Sequence, residues 1–501
     1  MNVLILVAEV APFSHVGGLA RGTYALAKAL SVKGHDVRIA TPLHKSVVDY
    51  VKENKKTYSE EKNLRITGKN TGMNHGSWLH IKILKRSPVN EYMYFIDIPD
   101  YFGLRSQVYG YADDYKRYYT FSRTCAELLL FHKRAGGWLP DVIQCHDWHT
   151  GYFVELLKRV KRYTTLKYIP VVYTVHNFKY QNEIKFQYMD DAELDMGKSP
   201  LAPLESPELS RQNSLSRGMV FADAVNTVSP THAKEIASDD YEFSYNLGRV
   251  ITKIRPKLSG ILNGLDYRDF DPQSDTHIGF RYSDINVIKN RAKNKKILRN
   301  IFSLPDHGDA PLLGYVGRMS SQKGLEFFFM AMRRILRETP LLQVIGIGDG
   351  EDYYCELFWR LRKEFPRQTG IKLVHDIHMP RMVFAGSDMI VVPSNYEPGG
   401  IVVLEAMRYG CIPIVRRTGG LNDMIVDYSL VTGRGNGFSY MQRDDRALYR
   451  AIMRALSVYR MREDRYRLIR NCMNYRNTWE SAASEYEQLF RSVSKDYGKS
   501  T

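Results

Sequence analysis

The chain has 501 residues, a length that suits two or three domains better than a single core. Its 44% hydrophobic and 25% charged residues are typical of a soluble globular protein, and no stretch approaches the roughly 20 apolar residues of a membrane helix. The formal net charge of +16 raises the question of a polyanionic partner. Because no nucleic-acid-binding motif accompanies it and acidic residues interrupt the basic stretches, we expect solvated helix faces and no nucleic-acid partner.

The five cysteines are scattered, odd in number and without the spacing of a metal site. Disulfides and structural zinc are therefore not expected, and a reducing cytoplasm is predicted. The opening segment MNVLILVAE has neither a basic leader nor a small-residue cleavage site. It predicts a buried strand rather than a signal peptide, and no membrane partner is expected.

Apolar runs alternate with amphipathic stretches almost throughout, a pattern typical of a parallel α/β sheet. A strand predicted over 3–8 leads through a Gly-Gly turn into a helix predicted over 19–33, which Gly34 ends. Further strands of this first series are predicted at 35–41, 141–147, 169–176 and 221–229. A second series begins near residue 311, with strands predicted at 311–317, 341–348, 388–394 and 411–416.

The two series predict two similar doubly wound halves, with the polar, turn-rich segment 271–284 as the linker between them. In such sheets ligands bind beyond the carboxyl ends of the strands, so the loops there are expected to carry the chemistry. With two halves, the natural site is the cleft between them.

The loop GRMSSQKG, residues 317–324, follows the first strand of the second half and contains Arg318 and Lys323. A guanidinium and an ammonium that converge on one point are suited to a diphosphate leaving group. The alternative for this pair alone is two solvent-exposed loop cations.

The segment SNYEPGGIVVLEAM, residues 394–407, places Glu397 just after a strand and Glu405 eight residues later. A helix is predicted from about Ile401, and Gly399 and Gly400 would let backbone amides approach a ligand closely. Glu397 is then either a partner of the helix dipole or an acceptor for two sugar hydroxyls. Glu405 could accept ribose hydroxyls.

Two Gly-Gly turns stand in corresponding places of the two halves. Gly17 and Gly18 follow the first strand of the first half, and Gly419 and Gly420 lie in RRTGGLNDMI of the second half. Backbone amides in such turns form a natural phosphate cradle. Neither turn is a G-x-G-x-x-G motif, so a nicotinamide cofactor is not expected.

CHDWHTG and TVHNFKYQ each end a strand of the first half with polar residues. The histidines at 146, 149 and 176 could suggest a metal, but no carboxylate-rich segment accompanies them. Contacts of Asp147, His176 and Asn177 with substrate hydroxyls make more physical sense.

Together these segments resemble the glycogen and starch synthases, retaining glucosyltransferases with the GT-B fold, in which two Rossmann-like doubly wound domains face a central cleft. The resemblance extends from residue 3 to about residue 493. The matching segments, all in the family's order, are VGGLA, YGYADDYKRY, HDWHTG, YTVHN, NTVSPTHAKEI, GILNGLDY, GRMSSQKG, EPGGIVVLEAM, RRTGGL and TWESAASEYEQLFRSV.

The resemblance implies an N-terminal catalytic and acceptor domain over 1–270, a nucleotide-sugar-binding domain over 271–480, and a terminal helix over 481–501 that crosses back onto the first domain. It implies transfer of glucose from ADP-glucose, with UDP-glucose as the alternative, to the non-reducing 4-hydroxyl of an α-1,4-glucan such as glycogen. Configuration is retained, and neither a cofactor nor a metal is required.

The resemblance also assigns residues. Catalysis would involve Glu397, which holds the transferred glucose, and Asp147, His176, Arg318 and Lys323. Acceptor or sugar contacts would come from Tyr109 and Asn177. The donor would be bound by His15, Gly17, Gly18, Asn263, Arg318, Lys323, Gly399, Gly400, Glu405, Thr418, Gly419 and Gly420. Of these, Asn263 lies in a segment whose sequence alone favours a plain turn over a hydrogen-bonding loop.

Four positions depart from the family pattern. His15 stands where the family has a lysine that reaches the donor phosphate, and Arg21 stands where it usually has an aspartate. Gly399 stands where many bacterial members have cysteine, and Glu405 stands where many lack a carboxylate. Two alternatives therefore stay open: a transferase with a different acceptor, and a catalytically weakened glucan- or nucleotide-binding homologue. Nucleotide preference, assembly as a homo-oligomer, allosteric regulation and priming are also open.

Overall fold

The computed structural model describes residues 1–58, 60–65, 78–86, 91–181, 197–238, 242–243, 245–374 and 376–497. The chain divides into two compact units: unit 1 comprises Met1–Ile261 and Trp479–Thr501, and unit 2 comprises Leu262–Thr478. The sequence-based boundaries stand at 270 and 480. No helix among the described residues is long and apolar enough to cross a membrane.

Within the described residues, unit 1 contains a nine-stranded sheet flanked by helices. Its strands are β1 Asn2–Leu6, β2 Asp36–Pro42, β3 Glu60–Arg65, β4 Trp78–Arg86, β5 Glu91–Asp97, β6 Val142–His146, β7 Val171–Val175, β8 Ala224–Thr227 and β9 Leu258–Gly260. Its helices are α1 Gly18–Val32, α2 Lys45–Glu53, α3 Asp114–Arg134, α4 Gly151–Arg159, α5 Ser214–Phe221, α6 Pro230–Ala237, α7 Gly248–Ile254 and α16 Trp479–Tyr497.

The strand order of unit 1 is β3-β4-β5-β2-β1-β6-β7-β8-β9, and β4 pairs antiparallel with both β3 and β5 while the other pairs are parallel. The side chains of β1 show why both faces are covered. Val3 and Ile5 join the apolar cluster that includes residues of α1 and α16, whereas Leu4 and Leu6 join the cluster on the other face, with residues of α3 and α4. Alternate residues of a strand point to opposite faces, so an uninterrupted apolar run needs helices on both sides.

Unit 2 contains a six-stranded parallel sheet among its described residues, in the order β12-β11-β10-β13-β14-β15. This is the standard Rossmann strand order. Its strands are β10 Leu312–Val316, β11 Gln343–Gly348, β12 Thr369–Leu373, β13 Met389–Val392, β14 Ile412–Arg416 and β15 Phe438–Tyr440. Its helices are α8 Val287–Ile301, α9 Leu325–Glu338, α10 Asp352–Glu364, α11 Met379–Gly386, α12 Ile401–Arg408, α13 Gly419–Met424, α14 Asp445–Arg460 and α15 Arg462–Asn474.

In each unit the strand order reverses beside the first strand of the sheet. The reversal lies between β1 and β6 in unit 1 and between β10 and β13 in unit 2. Loops that leave such a pair of strands at their carboxyl ends diverge to opposite faces and leave a crevice in which ligands bind. The loops of interest are therefore those that follow β1, β6, β10 and β13.

The predicted strands of both series are confirmed within three residues at each end, and the first helix begins one residue earlier than predicted. The strands β3, β4, β5, β9, β12 and β15 were not predicted.

The prediction of a linker at 271–284 is wrong, because this segment packs within unit 2. Asp275 is 5% exposed and accepts hydrogen bonds from the Tyr409 hydroxyl and from Arg381. The Tyr282 hydroxyl donates to the carbonyl of Tyr409 at 2.7 Å. The segment has a linker-like composition because its aspartates cap its own turns, as when Asp275 accepts the N–H of His277 at 2.8 Å.

The carboxyl-terminal helix α16 belongs to unit 1 and packs on its other elements. The ring of Trp479 lies 3.4 Å from the point where a Cβ on Gly22 of α1 would stand. Lys33, just past the end of α1, forms an ion pair with Glu487 at 3.3 Å. Asn226 donates to the buried Tyr486 hydroxyl at 3.1 Å. Residues 498–501 lie outside the described part of the chain.

Gly151, the last residue of the HDWHTG segment, lets α4 pack closely on α5. A Cβ at this position would lie 1.8 Å from the carbonyl oxygen of Ser214, closer than any real contact. The glycine therefore has a packing role that is sufficient to explain it.

We expect Gly151→Ala to lower the free energy of unfolding by about 3 kcal/mol, because the helices must separate to admit the methyl group. Urea unfolding followed by circular dichroism measures the change. Gly248→Ala is the matched control: Gly248 begins α7, has no neighbour within 4 Å of an added Cβ, and should be neutral or slightly stabilising. Equal stability of the two variants would contradict this role for Gly151.

Candidate active site

The loop after β10, residues 317–324, is a tight turn held against the neighbouring strand. Gly324 has a φ of 62°, and a Cβ on it would lie 2.2 Å from the carbonyl oxygen of Pro393, just after β13. The buried Tyr315 hydroxyl donates to the carbonyl of Arg318 at 2.8 Å. Burial raises the pKa of Tyr315 well above its usual value; the charge of Glu397 adds to this rise and that of Arg318 opposes it. Both charges therefore lie near this phenol.

Lys323 and Glu397, which the sequence nominates separately, contact each other. The Lys323 ammonium lies 2.6 Å from Oε2 of Glu397, and the two side chains are 17% and 10% exposed. The Ser394 hydroxyl donates to the same carboxylate oxygen at 2.8 Å. A cation and an acid are thus fixed side by side at the point where the strand order of unit 2 reverses.

Backbone hydrogen bonds join the loops after β10 and β13. The Asn395 N–H donates to the carbonyl of Gln322 at 2.8 Å, and its side-chain amide donates to the carbonyl of Ser321 at 2.7 Å. From the end of β14, Arg416 Nε donates to the carbonyl of Ser394 at 2.8 Å. These bonds fix the distance between the loop after β10, which carries Lys323, and the loop after β13, which carries Glu397.

The Gly-Gly turn of unit 2, at Gly419 and Gly420, packs against the loop after β13 that carries Glu397. Gly419 has a φ of 45°, and a Cβ on it would lie 2.0 Å from the carbonyl oxygen of Glu397. The Gly420 N–H donates to that carbonyl at 3.0 Å, and a Cβ on Gly420 would lie 2.2 Å from the carbonyl oxygen of Gly399. Thr418 is buried at the start of α13. The contact between the two turns by itself requires both glycines.

The helix α12 begins at Ile401 as predicted, after Gly400 in a left-handed conformation with a φ of 65°. Glu405 lies one turn into this helix and is 8% exposed. Asn263 is also buried, and its carbonyl accepts the side-chain amide of Asn477 at 2.7 Å. The donor roles of Gly399, Gly400, Glu405 and Asn263 stay predictions.

In unit 1, Asp147 follows β6 in a strained backbone conformation with a φ of 54°. Several hydrogen bonds hold it there. Its N–H donates to the carbonyl of Thr174 at 2.9 Å, its carbonyl accepts the Tyr173 hydroxyl at 2.6 Å, and its carboxylate accepts the His176 N–H at 2.7 Å. The side chain is thereby fixed between the ends of β6 and β7.

Burial sets the protonation of this cluster. It raises the pKa of Asp147 to about 7, although the N–H groups of His176 and Asn177 pull it down. Burial also lowers the pKa of His176 to about 4 and that of His146 well below its usual value. Nδ1 of His146 lies 3.0 Å from Nε2 of His176, so one of the two neutral rings donates to the other.

Sequence reasoning missed Glu9. This acid follows β1, is 1% exposed, and accepts the N–H of Val16. Burial raises its pKa to about 7; the N–H groups of Val16 and Gly17 oppose this rise, and the charge of Asp147 adds to it. The signal in the sequence is an acid directly after an uninterrupted apolar run, at the carboxyl end of a predicted strand.

Of the other nominated residues of unit 1, all but Tyr109 lie in or at the end of the loops after β1 and β7, and Tyr109 lies between β5 and α3. Gly18 begins α1, and His15 and Gly17 lie in the turn before it. Asn177 accepts the N–H of Lys179 at 3.0 Å, which fixes the loop after β7. The ring of Tyr109 lies 5.2 Å from that of His149.

His149 itself is packed among aromatic rings, with the ring of Trp148 at 3.9 Å and that of Tyr118 at 4.7 Å. Burial lowers its pKa well below the usual value. Among the described residues, no group of three or more histidine, cysteine, aspartate or glutamate side chains could hold a metal ion.

Comparisons with known proteins agree with the predicted family. The chain matches the family model described as starch synthase catalytic domain over residues 2–253, and the model described as glycosyl transferases group 1 over residues 297–472. It is 34% identical to a glycogen synthase of Clostridioides difficile (strain 630) over 499 residues, which cover 98% of this chain and 100% of that protein. A glycogen synthase of Clostridium novyi (strain NT) is 32% identical over 494 residues, with 98% and 99% covered.

Among solved structures, the catalytic domain of starch synthase IV from Arabidopsis thaliana, bound to ADP and acarbose, is similar with a TM-score of 0.80 and 29% sequence identity. The match covers 99% of each chain. The predicted GT-B fold class and the predicted glycosyltransferase class are therefore confirmed. From its motifs, its two doubly wound units and these full-length matches, the chain belongs to the glycogen and starch synthase family of glycosyltransferases.

Proposed function

We propose that the protein transfers glucose from a nucleotide-glucose to the non-reducing 4-hydroxyl of an α-1,4-glucan, with retention of configuration. ADP-glucose is favoured over UDP-glucose because the similar starch synthase IV is bound to ADP. The observation that carries the proposal is the Lys323–Glu397 contact of 2.6 Å at the strand-order reversal of unit 2. It brings together a cation, to which we assign the phosphate, and an acid, to which we assign the sugar hydroxyls.

Unit 2 would hold the donor. The diphosphate would take the Lys323 ammonium as a partner, together with the nearby Arg318 guanidinium, and Glu397 would then accept hydroxyls of the glucose. When the bond between glucose C1 and the phosphate oxygen breaks, negative charge develops on the leaving diphosphate. Fixed cations stabilise this developing charge more strongly in the transition state than in the bound substrate, and this difference lowers the barrier. We infer that no metal ion is needed for this step.

Unit 1 would contribute Asp147 and His176. Since Nε2 of His176 is bonded to His146, Nδ1 is the ring nitrogen directed to a sugar hydroxyl. Retention by double displacement requires a second carboxylate as nucleophile about 5 Å from the acid. We propose front-face attack instead: the acceptor 4-hydroxyl oxygen bonds to C1 on the face that the diphosphate leaves, and its proton passes to the departing phosphate.

We also propose that the protein works in the cytoplasm, on a soluble polymer. All five cysteines lie in the described residues, and none forms a disulfide. This supports a reducing compartment.

The direct test measures transfer of labelled glucose from ADP-glucose and from UDP-glucose to glycogen. We expect transfer from ADP-glucose, and we expect Lys323→Ala to lower kcat/KM by about 100-fold or more through lost stabilisation of the leaving group. Lys296→Ala removes an exposed lysine of the same unit and should have no effect.

Label found only in small acceptors would support the alternative transferase. Binding of ADP and glycogen without transfer would support the weakened homologue. Near-normal rates in Lys323→Ala would refute its proposed role.

At position 15, we expect His15→Lys to lower the KM for ADP-glucose about threefold to tenfold at pH 7.5. Lysine carries a full positive charge on a longer, flexible side chain that can approach the donor phosphate. Initial rates at varied ADP-glucose concentration measure the change. An unchanged KM would indicate that Arg21, exposed near the start of α1, already supplies the charge. Arg21→Ala would then raise KM.

Asp147 should make stability depend on pH. Its pKa is raised to about 7, so its contribution is complete below the pKa of the unfolded chain near 3.8 and is lost as pH rises through about 7. Asp147→Asn cannot ionise. Its stability relative to the wild type should therefore increase between pH 5.5 and 7.5, by at most about 1.4 kcal/mol per pH unit.

Urea unfolding at pH 5.5, 6.5 and 7.5 measures this difference. Asp306→Asn is the control, because the N–H of Gly308 and the Arg299 guanidinium lower the pKa of Asp306, and its effect should stay constant over this range. A constant difference for Asp147→Asn as well would show that this carboxyl is already ionised at pH 5.5.

A further inference from the structure

The turn between β1 and α1 has two halves that are held differently. In residues 10–14, the Val10 N–H donates to the Ser14 hydroxyl at 3.1 Å, and the Ser14 N–H donates to the Val10 carbonyl at 2.9 Å. Phe13 is 2% exposed, and its ring lies 5.1 Å from that of Tyr50 and 5.3 Å from that of Phe95. This half is therefore anchored by its own bonds and by the core.

Residues 15–18 form the second half of the turn, and hydrogen bonds to the Glu9 carboxylate hold them in place. The carboxylate of Glu9 accepts the N–H of Val16 and faces the N–H of Gly17. A Cβ added to Gly17 would lie 4.0 Å from Oε1 of Glu9, so the carboxyl lies directly against the turn. Glu9 is 1% exposed, and this contact fixes the conformation of its side chain as well.

The start of α1 lacks the usual means of fixing a helix amino end. Gly17 caps the helix without a side chain, and the first turn of α1 contains no acidic residue. In most helices, a serine, threonine or aspartate at the cap accepts backbone N–H groups. Here Glu9, which lies earlier in the same turn, accepts the N–H groups of Val16 and of the cap residue Gly17 instead.

Glu9 lies against a turn to which we assign the donor phosphate, and a negative charge on Glu9 would repel that phosphate. Two features reduce this repulsion. The carboxyl occupies the N–H groups of Val16 and Gly17, and it leaves the first N–H groups of α1 itself, which begin at Gly18, for an anion. Burial also keeps part of the Glu9 population protonated near pH 7. These features fit a role in which Glu9 fixes the shape of the turn better than one in which Glu9 takes part in the reaction.

We propose that Glu9 is a positioning residue for the donor: its buried carboxyl fixes the turn 15–18 in the conformation that the phosphate groups of the nucleotide-sugar require. The inference rests on the proposed function, because that function assigns His15, Gly17 and Gly18 to the donor. Glu9 acts through the turn and makes no contact with the reacting atoms.

The test compares Glu9→Gln, Glu9→Asp and Glu9→Leu. Glutamine keeps the length of the side chain and one acceptor oxygen, so the dissociation constant for ADP and the KM for ADP-glucose should stay within about fivefold of the wild type. Aspartate is one methylene too short to reach the turn, and leucine has no acceptor. Both should raise these two constants about tenfold or more, with the KM for glycogen and kcat changed much less.

Calorimetric titration with ADP gives the dissociation constant without turnover, and initial rates give the KM values and kcat. Ser14→Ala is the matched control: it removes a hydrogen bond from the anchored half of the same turn and should leave donor binding within about threefold. Circular dichroism checks the fold of each variant, and where the leucine variant does not fold, the aspartate variant decides.

Unchanged ADP affinity in the aspartate variant would overturn the positioning role. Loss of ADP affinity in the glutamine variant equal to that in the aspartate variant would overturn it too, since a side chain of the right length with an acceptor oxygen would then be no better than one too short to reach the turn. A wild-type protein that neither binds ADP nor extends glycogen would refute the proposed function itself. The two failures are therefore distinguishable.

Discussion

The reversal of strand order beside β1 and beside β10 is the constraint on which the candidate site depends. Where neighbouring parallel strands send their loops to opposite faces, the carboxyl ends are left open, and side chains on those loops can approach each other. In unit 2 this places Lys323 against Glu397. In unit 1 it places Glu9 close enough to Asp147 for their charges to interact. Neither pair is near in sequence, and only the topology brings its members together.

The two units stabilise their carboxylates in different ways. Glu397 is bonded to a lysine and a serine hydroxyl, and the N–H of Gly420 donates to its carbonyl. Glu9 and Asp147 are bonded to backbone N–H groups instead, and burial raises the pKa of each to about 7. In Glu9 and Asp147 the effect of burial on the pKa outweighs that of the N–H groups, so both carboxyls can change protonation near neutral pH. The unit that would bind the diphosphate thus pairs its acid with a cation, and the unit with Asp147 and His176 has carboxyls that can change protonation.

Much of this arrangement could be predicted from the sequence, because parallel strands buried on both faces are apolar without interruption and loop motifs follow them directly. The strands β3 to β5 were not predicted, since their polar residues break the apolar pattern on which the prediction relied. The segment 271–284 was assigned wrongly, because composition does not distinguish an aspartate that caps its own turn from one that also binds Arg381 and Tyr409. Glu9 was missed for a related reason: its partners are backbone N–H groups, which every residue has, so no pairing pattern appears in the sequence.

The glycines of the family motifs show how a correct motif match can leave a role undecided. Sequence reasoning explains Gly419 and Gly420 by the approach of a ligand, yet each would place a Cβ within 2.2 Å of a carbonyl oxygen of the neighbouring turn. The missing side chains permit the two turns to pack, and the Gly420 N–H bonds to the carbonyls of Glu397 and Pro398. This packing by itself requires glycine, so loss of function after substitution there would report damaged packing as readily as lost binding. Lys323 is a more informative position, because a shorter or uncharged side chain there removes the contact with Glu397 and requires no change in the path of the backbone.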